Sequence, residues 1–197
     1  MDEKKRQQKL QKKKQKDKQR HKKLANSSLH TRYNTNPKTI ITNARDFPVK
    51  ECLISADWQE RGLAQILIAR EQPDGNLLFG VYLVDLLCLG LKNTFYNCNF
   101  SAHEYTEFRN PLVAEQGLVE CPLDLACQII YGAIDYAANL GFQPQSDFKL
   151  SQYVLEEKSS LVGNYQIEYG KDGKPFYIAG PDDNVELIMR KLTGKLG

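Results

Sequence analysis

The residue most able to do chemistry is an aspartate in the wrong surroundings. Asp85 sits inside 77–89 (LLFGVYLVDLLCL), the most apolar run of the chain, with Val84 and Leu86 on either side. An unpaired carboxylate there is costly. It needs a cation, hydrogen-bond donors, a metal or an exit to solvent. Lys92, seven residues on, becomes the cation if the chain turns at Gly90. With Asp135 or Asp147 drawn near, Asp85 and Lys92 would be the catalytic pair of a metal-assisted hydrolase or nuclease. The competing reading is structural. Asp85 then accepts backbone donors from the 90–93 loop and fixes it, and the apolar context favours this second reading.

Other reactive types are thinly spread. The five cysteines stand at 52, 88, 98, 121 and 127, with no C-x-x-C pair. Several lie in apolar runs, where a free thiol packs as a small hydrophobe. A disulfide framework is not expected, and a reducing compartment is. Neither Cys98 with His103 nor Cys121 with Cys127 has a metal-ligand spacing. Of the three histidines, only His103 falls in the folded body, beside the capping residue Ser101. The segment 90–94 (GLKNT) lacks the phosphate-loop spacing. Asp182 and Asp183 read as a helix cap, and one loop offers too few ligands for a hard cation. No cofactor and no metal are expected. Trp58 is the one tryptophan, read as roofing a core edge.

The second functional signal is charge. The 197 residues carry a net charge of only +3. Residues 1–30, however, hold twelve cations (Lys4, Lys5, Arg6, Lys9, Lys12, Lys13, Lys14, Lys16, Lys18, Arg20, Lys22 and Lys23) against three acids. The remaining residues hold fifteen basic and twenty-one acidic side chains. A basic arm is therefore joined to an acidic body. The arm is rich in Lys and Gln and poor in apolar residues, so it cannot repay chain entropy and is expected to be disordered when free. Its cations suit polyphosphate, bound through counterion release and without sequence reading. RNA or the ribosome is the expected partner, and an acidic protein surface is the competing one. A membrane is not expected, because the arm has no apolar face to insert. No apolar h-region follows the charged start, so a cytoplasmic location is expected.

The elements that must position Asp85 follow from hydrophobic period and turn residues. The expected organisation is an arm over 1–30, a linker over 31–50 and one domain over 51–197. Strands are predicted over 51–56, 64–71 and 77–89, the last two joined at Asp74-Gly75. The 77–89 strand is apolar on both alternating sides and should be covered on both. Ser101 and Glu104 predict a capping box on a helix that stops by Asn110-Pro111. The strongest helix is predicted over 122–140, with one stripe of Leu123, Ala126, Ile130, Ala133, Ile134, Ala137 and Leu140. A second hairpin is predicted over 165–179, turning at Asp172-Gly173. A last helix is expected after Pro181, capped at Asp183. This makes an α+β fold: a mostly antiparallel sheet of about five strands in two hairpins, with two to three packing helices.

The phrases CLISADWQERGLAQILIAR, PDGNLLFGVYLVDLLCLGLKNTF, IIYGAIDYAANLGFQPQSDF and GKDGKPFYIAGPDDN span 52–184. They resemble an uncharacterised family of bacterial hypothetical cytosolic proteins. The resemblance implies a self-contained bacterial cytosolic domain and brings no activity, cofactor or site residue with it. Three functions are open on sequence: RNA or ribosome binding through the arm, a hydrolase or nuclease centred on Asp85, and an inhibitor- or antitoxin-like interaction module using the acidic body.

Overall fold

A computed structural model describes residues 36–181 and 183–196, with side chains through 194. The fold is α+β, built on one antiparallel sheet. Its strands are β1 (Val49–Ser55), β2 (Leu63–Glu71), β3 (Leu77–Asp85), β4 (Gly90–Phe100) and β5 (Leu118–Glu120). They lie in the order β4-β3-β2-β1-β5. The Asp74-Gly75 turn forms as expected, with Gly75 at φ 84° and its N–H donating to the Gln72 carbonyl. It sets the β2–β3 register from Glu71 opposite Leu77 to Leu63 opposite Asp85.

Both sides of β3 are buried, as its double apolar pattern requires. One sheet face carries Ile54, Ile66, Ile68, Leu78 and Tyr82. A 17-residue helix lies there, Leu123–Asn139, burying Ala126, Ile129, Ile130, Ala133 and Ala137. The opposite face carries Leu53, Leu67, Phe79 and Val81, covered by the helix Ala102–Gln116 through Tyr105, Phe108, Leu112 and Val113. The Phe108 ring stacks on Phe79 at 4.8 Å. Glu51 on β1 ties this helix down, accepting from the Tyr105 hydroxyl at 2.5 Å and from Arg109 Nε at 2.9 Å.

Four expectations are corrected. The strand at 77–89 stops at Asp85, and the chain turns through 86–89 into β4, which the sequence reading missed. Gly90 makes that turn possible. Its φ is 69°, and a Cβ there would fall 2.7 Å from the Ala133 carbonyl oxygen. The capping box on Ser101 and Glu104 is present, but its helix runs on through Pro111 to Gln116. Leu112 and Val113 pack against the core and hold the extra turn, which Gly117 closes at φ 58°. The hairpin over 165–179 is absent. Only its turn survives, with Asp172 at φ 52°, Gly173 at φ 72° and one bridge between Lys171 and Lys174. Its flanks spend backbone donors on the 86–89 turn instead, Gly170 N–H on the Leu86 carbonyl and Phe176 N–H on Leu87. The second hairpin of the sheet is β3–β4.

The fourth correction concerns the linker over 31–50. Its described part from Pro37 onward belongs to the body, which spans 37–197 as one compact unit. We number the helices α1 (Pro37–Thr42), α2 (Trp58–Arg61), α3 (Ala102–Gln116), α4 (Leu123–Asn139), α5 (Phe148–Ser151) and α6 (Val185–Leu196). Ile41 of α1 and Ala44 of the following 3-10 turn are wholly buried. Two arginines hold this segment. Arg70 on β2 is 2% exposed, and its guanidinium donates to the carbonyls of Val154 and Phe47 and to Glu156 at 2.7 Å. Arg45 donates to the carbonyls of Leu155 and Gln152 and pairs with Glu157. The 37–48 segment is thus fastened to 152–157 across the end of β2.

Truncating Arg70 should leave the buried Val154 carbonyl and the part-buried Phe47 carbonyl without their donor. Arg70→Ala is expected to lower the unfolding free energy by about 3 kcal/mol, read from urea denaturation. A loss below about 1 kcal/mol, the ordinary range of surface changes, would show that the guanidinium does not bear this load.

Candidate functional site around Asp85

Asp85 ends β3 on the sheet face shared with Leu83, in a region that α3 does not cover. The residue is 7% exposed. One oxygen, Oδ1, accepts from the Leu87 N–H at 2.8 Å and the Cys88 N–H at 3.0 Å. An aspartate that accepts from the amide two residues on folds its own turn. The geometry is therefore that of the structural reading, with donors from 87–88 in place of 90–93. Burial pushes the Asp85 carboxyl above its ordinary 3.8, against the pull of the Leu87, Cys88 and Leu89 amides and of the Lys92 charge.

Lys92 points elsewhere. It lies on β4, and its Nζ sits 2.9 Å from both carboxylate oxygens of Asp183. Asp183 also accepts from the Gly180 N–H at 2.8 Å and from the Tyr177 hydroxyl at 3.2 Å. Burial works against the charge of Asp183, yet Lys92 and the Gly180 amide outweigh it and hold the carboxyl below its ordinary value. Asp183 therefore closes the 177–183 loop onto β4. The helix α6 is capped one residue later, where Asn184 Oδ1 accepts the Leu187 N–H.

Between these two groups lies a cleft of about 540 Å³, walled by Leu63, Leu83, Leu87, Phe176 and Ile178, with Asp85 and Lys92 in its lining. It adjoins a second hollow of about 480 Å³ that runs past Trp58 to Gln166 and Lys171. Glu60, Arg61 and Gly62, from the end of α2, border both. Trp58 packs against the core, as expected of a roof, and also walls the second hollow. Asp135 and Asp147 are exposed and line neither hollow; Asp135 pairs with Lys158. His103 is 82% exposed beside Glu107. Among the described residues, no three His, Cys, Asp or Glu side chains converge as a metal-binding set. The twelve arm residues from Lys4 to Lys23 lie outside the described residues.

Two features escaped the sequence reading. Arg70 sits at the end of AQILIAR with nothing to distinguish it from a solvent-facing strand terminus. Cys52 and Cys121 meet across two strands, a pairing that no local spacing encodes. Among the described residues, no helix is long and apolar enough to cross a membrane. No family model, no curated protein and no solved structure matches this chain.

The pKa direction gives the sign of a pH effect. A carboxyl raised in the folded state binds more protons there than in the unfolded chain. Stability then falls as pH rises from 3.8 through the raised value. Asp85→Asn keeps an acceptor for Leu87 and Cys88 and removes the charge. It is expected to match or exceed the parent in Tm at neutral pH, the margin closing in acid. Asp85→Ala loses the acceptor and should cost about 1–3 kcal/mol. An Asn variant that melts far below the parent at neutral pH would contradict this account of the carboxylate.

Proposed function

We propose that this protein binds RNA, ribosomal RNA included, through the cations from Lys4 to Lys23, and does so in the cytoplasm. The observation that carries the reading is the partition of charge along the chain. Twelve cations lie within residues 1–23, whereas residues 37–197 hold fourteen basic and twenty-one acidic side chains. Polyphosphate affinity scales with the cations free to replace condensed counterions.

The body adds few of these. Among the described residues, Arg45, Lys50, Arg61, Arg70, Lys92, Arg109 and Lys158 are already in ion pairs with acids. That is half of the body's basic residues, so the arm supplies the cations for phosphate. No Phe, Tyr or Trp lies within 1–23 to stack on bases, so the binding reads backbone charge and not sequence. Asp85 is committed to its turn and Lys92 to Asp183, and the proposal gives neither a catalytic role.

The test is an RNA mobility shift across a salt series. The log of affinity should fall linearly with the log of salt. Replacing Lys9, Lys12, Lys13, Lys14, Lys16 and Lys18 by Gln in the full chain should flatten that slope by roughly 4, with Tm unchanged. A chain beginning at Pro37 should keep the fold and lose the binding. Equal affinity and equal slope in all three proteins would refute the assignment.

A further inference from the structure

Cys52 on β1 and Cys121 just beyond β5 stand opposite one another. The β1–β5 register runs Leu53 to Glu120 and Ile54 to Val119, and the Cys121 N–H donates to the Cys52 carbonyl at 3.0 Å. Their sulfurs are 3.5 Å apart, both as free thiols. Opposed residues of an antiparallel pair have Cα atoms about 4.5–5.5 Å apart. A disulfide accepts about 4.4–6.8 Å. The backbone is thus already in place, and only the sulfurs need to close to about 2.05 Å by side-chain rotation.

The two thiols are unequal. Cys52 is 7% exposed, set among Ile54, Cys127 and the end of β2, while Cys121 is half-buried at the sheet edge and open to small reagents. The sulfur–sulfur hydrogen bond, in which either thiol can donate, holds the Cys121 thiol below its ordinary 9.0 despite burial. The same contact, reinforced by burial, pushes the Cys52 thiol up. An accessible sulfur with a lowered pKa is the one that reacts first. A second thiol in contact is what stops the reaction at a disulfide.

We propose that Cys52 and Cys121 form a reversible redox site, oxidised by peroxide to a cross-strand disulfide. The Cys121 thiolate attacks one peroxide oxygen, the O–O bond breaks and hydroxide leaves, giving a sulfenic acid. The Cys52 thiol then attacks the Cys121 sulfur. The S–S bond forms, the S–O bond breaks, and the Cys52 proton leaves with the hydroxyl as water. Two thiols and one peroxide become one disulfide and two waters once the hydroxide is protonated. A dithiol reductant reverses the change. The bond pins the three-residue edge strand β5, and with it the connection from α3 to α4, onto β1.

The test uses the full-length protein. After treatment with hydrogen peroxide, the chain is quenched in acid, unfolded and alkylated. Its intact mass should drop by two hydrogens and by two alkylation sites, and peptide mapping should join Cys52 to Cys121. Dithiothreitol should restore both sites, and the oxidised form should melt roughly 5–15 °C higher. Cys88, Cys98 and Cys127 should stay reduced. In Cys52→Ala, Cys121 should be trapped by dimedone as a sulfenic acid with no cross-link formed. In Cys121→Ser, Cys52 should remain alkylatable. A cross-link through any other pair would overturn the proposal. So would sulfinic acid at Cys121 with Cys52 still free in the parent protein, or no loss of thiols at peroxide levels that oxidise a model peptide.

Discussion

One buried guanidinium holds this fold at its N-terminal boundary. Arg70 emerges at the end of β2, where the sheet face turns from Ile66 and Ile68 to a charge. A cation that deep survives only if every direction of its fork meets an acceptor. Three do: the Phe47 carbonyl before β1, the Val154 carbonyl after α5, and the Glu156 carboxylate at the protein's surface. Those acceptors come from segments far apart in sequence. Two otherwise irregular stretches are thereby required to lie side by side, and Arg45 repeats the link with Leu155, Gln152 and Glu157. The start of the body follows from this. The 37–48 segment is part of the body because Phe47 is needed at the guanidinium and Ile41 is buried in the core.

A second polar lock closes the far end of the sheet. Asp85 turns β3 into β4 by accepting amides from Leu87 and Cys88. The carbonyls of Leu86 and Leu87 are then presented to Gly170 and Phe176. Lys92 and Asp183 bring the next part of the same segment onto β4. The cleft beside Asp85 is the space left between these attachments. Asp85 is spent on the amides of its own turn and Lys92 on Asp183, which is why these two charged residues read as architecture.

The elements legible in the sequence were those with a local cause. The Asp74-Gly75 turn, the capping box of Ser101 and Glu104, and the α4 stripe all formed, because a few neighbouring residues decide each. The elements misread were decided at a distance. β4 pairs with β3 through two register shifts, and these break the period of two that would mark it as a strand. The 165–179 stretch has strand-like residues and a correct turn, yet its amides bond to the 86–89 turn. The 37–47 segment looks like a linker until the bonds from Arg45 to 152–157 and from Arg70 to Phe47 are seen. At the site, the odd placement of Asp85 was plain from its neighbours. Its donors were misplaced by a few residues, because the strand was read four residues too long. Lys92 was paired with the wrong carboxylate for the same reason: as a strand residue it faces the 177–183 loop. The Cys52–Cys121 contact depends on the β1–β5 register, and a three-residue edge strand leaves little trace in sequence.

The central claim is that a lock on Arg70 makes 37–48 part of the cooperative core. Native-state hydrogen exchange on the full-length protein measures this directly. If the lock exists, the amides bonded within this stretch, those of Asn43, Asp46 and Phe47, exchange at rates close to those of β2 and β3, and Arg70→Ala accelerates both groups together. Exchange of those three amides at the rates of an unstructured peptide, with β2 and β3 still protected, would contradict it.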